Sequence, residues 1–589
     1  MTGSWFGSGF FCLAFLMFAA GIYFVRKRCG KENGIVWLPL SIVLAICANA
    51  FLAGIINLAR IPVNILSAGA VDFILAVWLW WLVLAKNRRQ QYEFALKDGL
   101  LMLLVAGVAI LYGVKHFGVE LTAAFQAIDA PHHYANAMNV VNTQRIASGM
   151  FFSDLYDALF IETFSVFFKA ELYYKIFVLS EMVNLLLAGT CFCAIVMRFA
   201  VSWFMRAMVG ALSLFYLFGY PVHNLQFGFV YWGMSVTILT CMLYMLEIWV
   251  QEDRKWILSV ILALLNFGLF ESYSLFVPPV FLGEFLYIVL DSKIRKRIFT
   301  AEVIGNGLII FLPAVLIGLV YSYSLVAHAG IGAASSASAT AGIANEGGIY
   351  KSFYSDFIVL LPFALSIYWN SLRKKRLSPD CALFICMALF MFLLLLGGMV
   401  GKVSSYYYCK NNYVIWLLLF FSGIRGIFRL WKARQGQFLV PYFITWGMVF
   451  LVFYASMEER VIARNPQFSM GSSRNYFSIY AWNREWEPLS QFSDKKMELF
   501  CWVNDHLTSQ GESVAICSDS VLNEEWYRIM TNTDYQLYFG DWDLYLSKVE
   551  PKARYICVMY DNFYYHHQDH FTDFTTVYES ELGYVAKIR

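Results

Sequence analysis

Charge is scarce in this sequence. Only 14% of its 589 residues are Asp, Glu, Lys or Arg, where a soluble globular domain carries about a quarter. Hydrophobic residues make up 59% and aromatics 18%, a balance that excludes a wholly soluble chain and points to a polytopic membrane protein. A disulfide framework is missing as well. Of the 12 cysteines, Cys12, Cys47, Cys191, Cys193, Cys241, Cys381 and Cys386 lie in apolar runs and read as small hydrophobes. Cys501, Cys517 and Cys557 are odd in number and lack metal-ligand spacing, so neither disulfides nor a zinc site is expected.

Long apolar runs are what the chain has instead. Runs of roughly 17 to 25 residues are long enough to cross a bilayer as helices. They are continuous rather than alternating, which excludes a barrel. The first, "WFGSGFFCLAFLMFAAGIYF", is followed by "RKRCGK" with no positive residue before it. That is the reverse of a signal peptide's flanks, so the segment is expected to remain as a helix with its N-terminus outside. Basic clusters recur at 26–31, 86–90, 252–256, 292–297, 372–376 and 429–434. Placing all of them in the cytoplasm gives a path of about fourteen helices, with 256–290 either two crossings or re-entrant. The division expected is 1–93 (three additional helices), 94–455 (a transmembrane core) and 456–589 (an external domain).

On that path residues 117–170, 324–355, 401–411 and everything after about 456 fall on the external face. The one-sided weight places the chemistry outside and argues against the inverted halves of a transporter. Within 117–170, Tyr134, Ala137, Met138, Val141 and Ile146 recur at helical spacing, as in helices lying along a membrane surface. Residues 328–348 are small and of low complexity, either a mobile lid or a tolerated insertion. The tail from Ser456 carries 12 Lys and Arg against 20 Asp and Glu. It reads as a small α/β domain: helix 494–507, strands 513–517 and 554–560, then a final hairpin. It contains no P-loop, GxGxxG or nucleophile elbow, so an accessory or substrate-positioning role is expected of it.

Three stretches carry candidate chemistry. In "AIDAPHHY" Asp129 precedes Ala-Pro, as a helix cap does. A carboxylate on an external loop is equally placed to deprotonate an acceptor hydroxyl, and the two roles are compatible. His132, His133 and Tyr134 are candidate substrate contacts beside it, and Asp154, Asp157 and Glu162 are further carboxylates on the loop. Adjacent histidines on a helix diverge by about 100°. They cannot easily share one ion with Asp129, so no cofactor is assigned, a divalent metal held by these carboxylates being the alternative. In "GKVSSYYYCKNNY" Lys402 and Lys410 are placed to neutralise a phosphate and Tyr407 to stack on a sugar. The alternative there is an interfacial aromatic belt with snorkelling lysines. His223, in "GYPVHNLQFGF", and Glu271, in "FESYSLFVPP", would line a polar cavity at outer helix ends, although Glu271 serves equally as a cap.

The loop "IDAPHHYANAMNVVNTQRIASGMFFSDLYDAL", followed by "YPVHNLQFG" and "ESYSLFVPP", resembles the first luminal loop and following helix pairs of GT-C membrane glycosyltransferases. The resemblance implies a polyprenyl-phosphate-sugar donor, a glycan or lipid acceptor, an inverting transfer in the plasma membrane and Asp129 as catalytic residue. "SSYYYCKNNYVIW" is similar to a late YY-x-x-K segment of bacterial members, which would give Lys410 the lipid phosphate. Membrane lipid is the implied surrounding partner, and nucleic acid is not among the partners. One departure is that three extra helices precede the catalytic loop, which in the family usually follows the first spanning helix. "DWD" at 541–543 matches a nucleotide-sugar motif by letter only.

Two other readings stay open. A polymerase of lipid-linked repeat units would use external arginines, for which Arg145, Arg460, Arg464 and Arg474 are available. A lipid or glycan transporter would need polar residues within the spans: Asp72, Lys97, Asp98, Glu181 and Glu284 are there, Asp72 with no obvious partner.

Overall fold

The computed structural model describes residues 4–29, 34–85, 96–125, 129–146, 152–250, 255–294, 300–334, 359–374, 377–400, 405–433, 439, 442–443, 490–533 and 553–588. In chain order the membrane part comprises α1 (Trp5–Cys29), α2 (Gly34–Leu58), α3 (Ile65–Ala85), α4 (Leu96–Phe117), β1 (Ala123–Phe125), α5 (Asp129–Thr143) and α6 (Phe152–Phe164). It continues through α7 (Tyr173–Met197), α8 (Trp203–Leu217), α9 (Tyr220–Phe227), α10 (Val230–Trp249), α11 (Lys255–Ser272), α12 (Val277–Ile294) and α13 (Ala301–Ala334). Then come α14 (Leu361–Arg373), α15 (Pro379–Met399), α16 (Ser405–Lys410) and α17 (Asn412–Lys432).

Twelve helices among the described residues are long and apolar enough to cross a membrane. The chain is therefore a multi-pass helical membrane protein. Of the fourteen spans expected, 356–370 appears as the 13-residue α14, too short for that class. The span 438–455 lies almost wholly outside the described residues. The stretch 256–290 forms two separate helices, α11 and α12.

Two kinds of helix divide the bundle. α2, α7, α10 and α17 are enclosed, with 94% of the α10 span buried. α1, α3, α4, α13 and α15 show Leu16, Trp78, Leu103, Leu316 and Phe392 on their outer faces. Water would not tolerate such an apolar belt, whereas lipid does. With no hydrophobic drive between helices in lipid, close approach through small residues holds the bundle. At Gly426 of α17 a Cβ would sit 2.4 Å from the Phe363 carbonyl oxygen of α14, so only glycine fits.

Three of the acids inside the spans are paired, while the Oε1 of buried Glu181 has no hydrogen-bond partner among the described residues. Asp72 accepts from the Asn49 amide at 3.0 Å, which supplies the partner that the sequence did not reveal. Asp98 holds Arg206 at 2.6 Å, and Glu284 accepts from Asn266 at 2.8 Å. Pairs of this kind between helices are the ordinary way to carry a polar atom through lipid.

After α17 the described chain resumes at β2 (Ser490–Phe492), α18 (Asp494–His506), β3 (Val514–Cys517) and α19 (Val521–Thr531). It ends with β4 (Tyr555–Met559), α20 (Asn562–His566), β5 (Thr575–Ser580) and β6 (Gly583–Lys587). The sheet order is β3-β4-β6-β5, with β3 and β4 parallel and the β5–β6 hairpin antiparallel. These are the helix, strands and hairpin expected of the tail.

The α/β unit is clamped to the α4–α6 segment. β2 pairs antiparallel with β1, Ala123 opposite Phe492. Lys175 meets Asp494 at 2.7 Å. Trp526 of α19, 1% exposed, packs on Phe492 and on Tyr134 of α5 at ring distances of 4.6 and 5.6 Å. Truncating such an aromatic costs about 3–5 kcal/mol. Trp526→Ala is therefore expected to loosen the α/β unit, read as faster limited proteolysis of membrane-embedded protein. Unchanged cleavage would show that Trp526 does not hold this contact.

Candidate functional site

Three segments distant in sequence meet where α5 begins. Asp129 is the first residue of α5, where a carboxylate is favoured by the helix dipole. The next residue, Ala130, is fully buried against the turn between α9 and α10. That turn depends on Gly228, which adopts φ +71° as the left-handed cap of α9. A Cβ at Gly228 would stand 2.6 Å from the Ala130 Cβ, so both backbone conformation and space demand glycine.

One turn into α5, on the face of Asp129, lies His133. It is buried, its ring 4.8 Å from that of Tyr231 on α10. Tyr231 is shared: its hydroxyl lies 3.4 Å from the Lys410 Nζ at the end of α16. Lys410 is 2% exposed and surrounded by rings. Its Nζ lies 5.4, 5.6, 4.7 and 5.3 Å from the centroids of Phe229, Tyr231, Trp232 and Tyr273. Each such contact is worth about 0.5–2 kcal/mol, more when water is excluded. The rings brace one another, Trp232 stacking on Tyr413 at 3.7 Å and on Tyr273 at 5.9 Å.

His223 borders this box against Phe229 at 6.5 Å. Glu271 stands at the end of α11, two residues before Tyr273. It is buried, and its Oε1 has no hydrogen-bond partner among the described residues. His223 is bonded through Nδ1 to the Tyr413 hydroxyl and stacks on Phe227 at 4.5 Å. It reaches the Lys410 box through Tyr413, which stacks on Trp232, and through Phe229.

Other candidates are placed elsewhere. His132 points into the α/β unit, with Nδ1 3.3 Å from Arg528 and Nε2 3.5 Å from Glu525. Tyr134 is wedged between Phe177 and Trp526. Both belong to the seam between α5 and α19, because successive helical residues diverge around the axis. Tyr407 is half-buried, and its carbonyl oxygen accepts from Asn411 at 2.6 Å. Lys402 lies outside the described residues.

The loop carboxylates do not converge. Asp157 accepts from Ser180 of α7 at 2.5 Å. Glu162 accepts from the Ile65 N–H at 3.0 Å and so caps α3. The Asp154 side chain lies outside the described residues. Among the described residues no group of three His, Cys, Asp or Glu is arranged around a possible metal ion. Missed from the sequence were Phe229, Tyr231, Trp232 and Tyr413. Their density in "FGFVYW" and "NNYVIW" was the available signal, but the period of a spanning helix absorbed it.

A cavity of about 300 Å³, with none of the box residues in its lining, opens between α1, α2, α6 and α7. Its walls include Phe15, Ile46, Leu155, Leu159, Phe160 and Leu187, and they are almost wholly apolar. No family model matches this chain, and no curated protein matches it.

Two outcomes follow. Gly228→Ala adds a Cβ in contact with Ala130 and a strained φ, expected to cost about 2–4 kcal/mol in thermal unfolding of the solubilised protein. Ala130→Gly in the same chain should restore much of that loss, and no restoration would mean the contact is not the cause. Burial outweighs the Ile65 hydrogen bond and raises the Glu162 carboxyl to about 7. A folded value above the unfolded one, about 4.3, gives stability that is full below the latter and lost as pH rises through about 7. Glu162→Gln should flatten that decline in melting temperature, and an unchanged pH profile would remove Glu162 as its source.

Proposed function

We propose that the chain is a GT-C-type glycosyltransferase that moves a sugar from a polyprenyl-phosphate donor to a glycan or lipid hydroxyl on the extracytoplasmic side. The observation that carries this reading is the convergence of the Asp129 end of α5, through His133 and Tyr231, on buried Lys410. A base and a cation on one wall are the two groups that such a transfer needs.

Asp129 takes the proton of the acceptor hydroxyl as its oxygen attacks the anomeric carbon. The bond from that carbon to the phosphate oxygen breaks, and the polyprenyl phosphate leaves with the electron pair. Lys410 stabilises the charge that develops on it. A single displacement inverts the anomeric centre. Tyr273, the partly exposed ring of the box, offers a face for the sugar, and the apolar cavity between α1, α2, α6 and α7 suits a stretch of isoprenoid chain.

The rival readings draw less support. Arg145, wanted by a polymerase, donates to the Arg60 carbonyl at 2.7 Å, and the other three arginines lie outside the described residues. Of the residues wanted by a transport path, Asp72, Asp98 and Glu284 are held by Asn49, Arg206 and Asn266, while the Oε1 of buried Glu181 has no hydrogen-bond partner among the described residues.

The test is sugar transfer from a synthetic polyprenyl-phosphate donor. Asp129→Asn is expected to lower the rate by about 10²–10⁴-fold. Lys410→Met is expected to lower it by about 10²–10³-fold with the donor at saturation. Full activity of Asp129→Asn would dismiss it as the base. A wild-type protein inactive with every donor would sink the reading.

A further inference from the structure

At the opposite end of α17 from Lys410 lies a second cavity, of about 600 Å³, within the size range of ligand sites. α17 has 21 residues, so about 30 Å, roughly one hydrocarbon thickness, separates the two. The cavity is formed by the ends of α10, α12, α14 and α17 and by the α14–α15 turn.

Its charge is uneven. Lys374, Arg425, Arg429 and Lys432 line it, against Glu247 and Asp291. Arg425 is committed to Asp380, buried beneath it, at 2.6 Å, and Glu247 is committed to Arg198. Among the described residues Arg429 donates only to a neutral group, the Asn370 amide oxygen, at 2.9 Å. Lys374 and Lys432 have no carboxylate partner among the described residues. Three cations from two helices thus face one pocket, with Asp291 as the remaining acid.

The other walls are apolar, with Phe199, Leu377 and Phe428 among them. A site part cationic and part apolar, at the level where helices leave the hydrocarbon, suits an amphiphile. Arg supplies a planar fork and Lys a point charge, the usual pairing for phosphate oxygens. Basic pockets between helices on the cytoplasmic side bind anionic headgroups in the same way.

We infer that this cavity binds a phosphate-bearing anion, the headgroup of an anionic lipid or a free phosphate, at a site separate from the Asp129–Lys410 chamber. The inference stands independently of the glycosyltransferase reading. It places a phosphate between Arg429, Lys432 and Lys374, with Arg425 held back by Asp380.

The test uses the full chain in phosphatidylcholine nanodiscs. Dioctanoyl phosphatidic acid, dioctanoyl phosphatidylcholine and inorganic phosphate are titrated separately, and bound species are counted by native mass spectrometry. Saturable binding of phosphatidic acid and not of phosphatidylcholine is expected, weakened about 30-fold in the double variant Arg429→Gln, Lys432→Gln, two charges at the strength of a surface cation each. Both side chains are exposed, so the fold should persist, which the melting temperature checks. Arg373→Gln, next to Lys374 but outside the lining, should bind as wild type does. Inorganic phosphate binding with the same sensitivity would assign the site to a free anion. Binding indifferent to the double variant, equally lost in Arg373→Gln, or absent for both phosphates would overturn the proposal.

Discussion

The approach of α5 to the α9–α10 turn is the contact on which the candidate site depends. Gly228 has room for no side chain, since Ala130 occupies the place a Cβ would take. That contact seats the first turn of α5, Asp129 included, beside Phe229 and Tyr231. From the other side α5 is held by Trp526 and Arg528 of α19, and the β1–β2 pair anchors the strand just before it. At 15 residues α5 stands at the length where isolated helices are still marginal in water, so it does not hold its position by itself. Packing on two faces supplies what helix propensity does not.

Burying Lys410 is the second constraint. An ammonium removed from water is costly, and four ring faces return part of that cost. The rings also fix where the charge stands. Tyr413, stacked on Trp232 and bonded to His223, stiffens the wall behind it. In the proposed transfer a cation positioned in this manner would meet the developing negative charge without rearranging, which is what electrostatic catalysis requires. Positioning thus reaches from α9 through α17 to the ammonium.

The spans and the α/β elements were legible because periodicity reports them directly. The helix expected at 494–507 is Asp494–His506, and the strand expected at 513–517 is Val514–Cys517. Asp129 and Lys410 were legible as polar residues in unusual places. What was hidden is which face of α5 meets which neighbour: the pattern shows that Tyr134 and Ala137 are buried, not that Trp526 covers Tyr134. Tyr231 and Trp232 lay inside an apolar run and read as membrane helix, so the aromatic box could not be drawn from sequence. Asn49 was invisible as the partner of Asp72 because the two meet only when α2 and α3 pack.

The proposed transfer needs α5 and Lys410 to face outward, and the headgroup site needs the Lys374–Lys432 cavity to face inward. Cysteines introduced singly at Asn136, exposed on α5, and at Lys374 can be challenged in intact cells with a membrane-impermeant maleimide, each against the parent chain. The account predicts labelling of Asn136→Cys from outside and of Lys374→Cys only after permeabilisation. The reverse pattern would put Asp129 in the cytoplasm and contradict the proposed transfer.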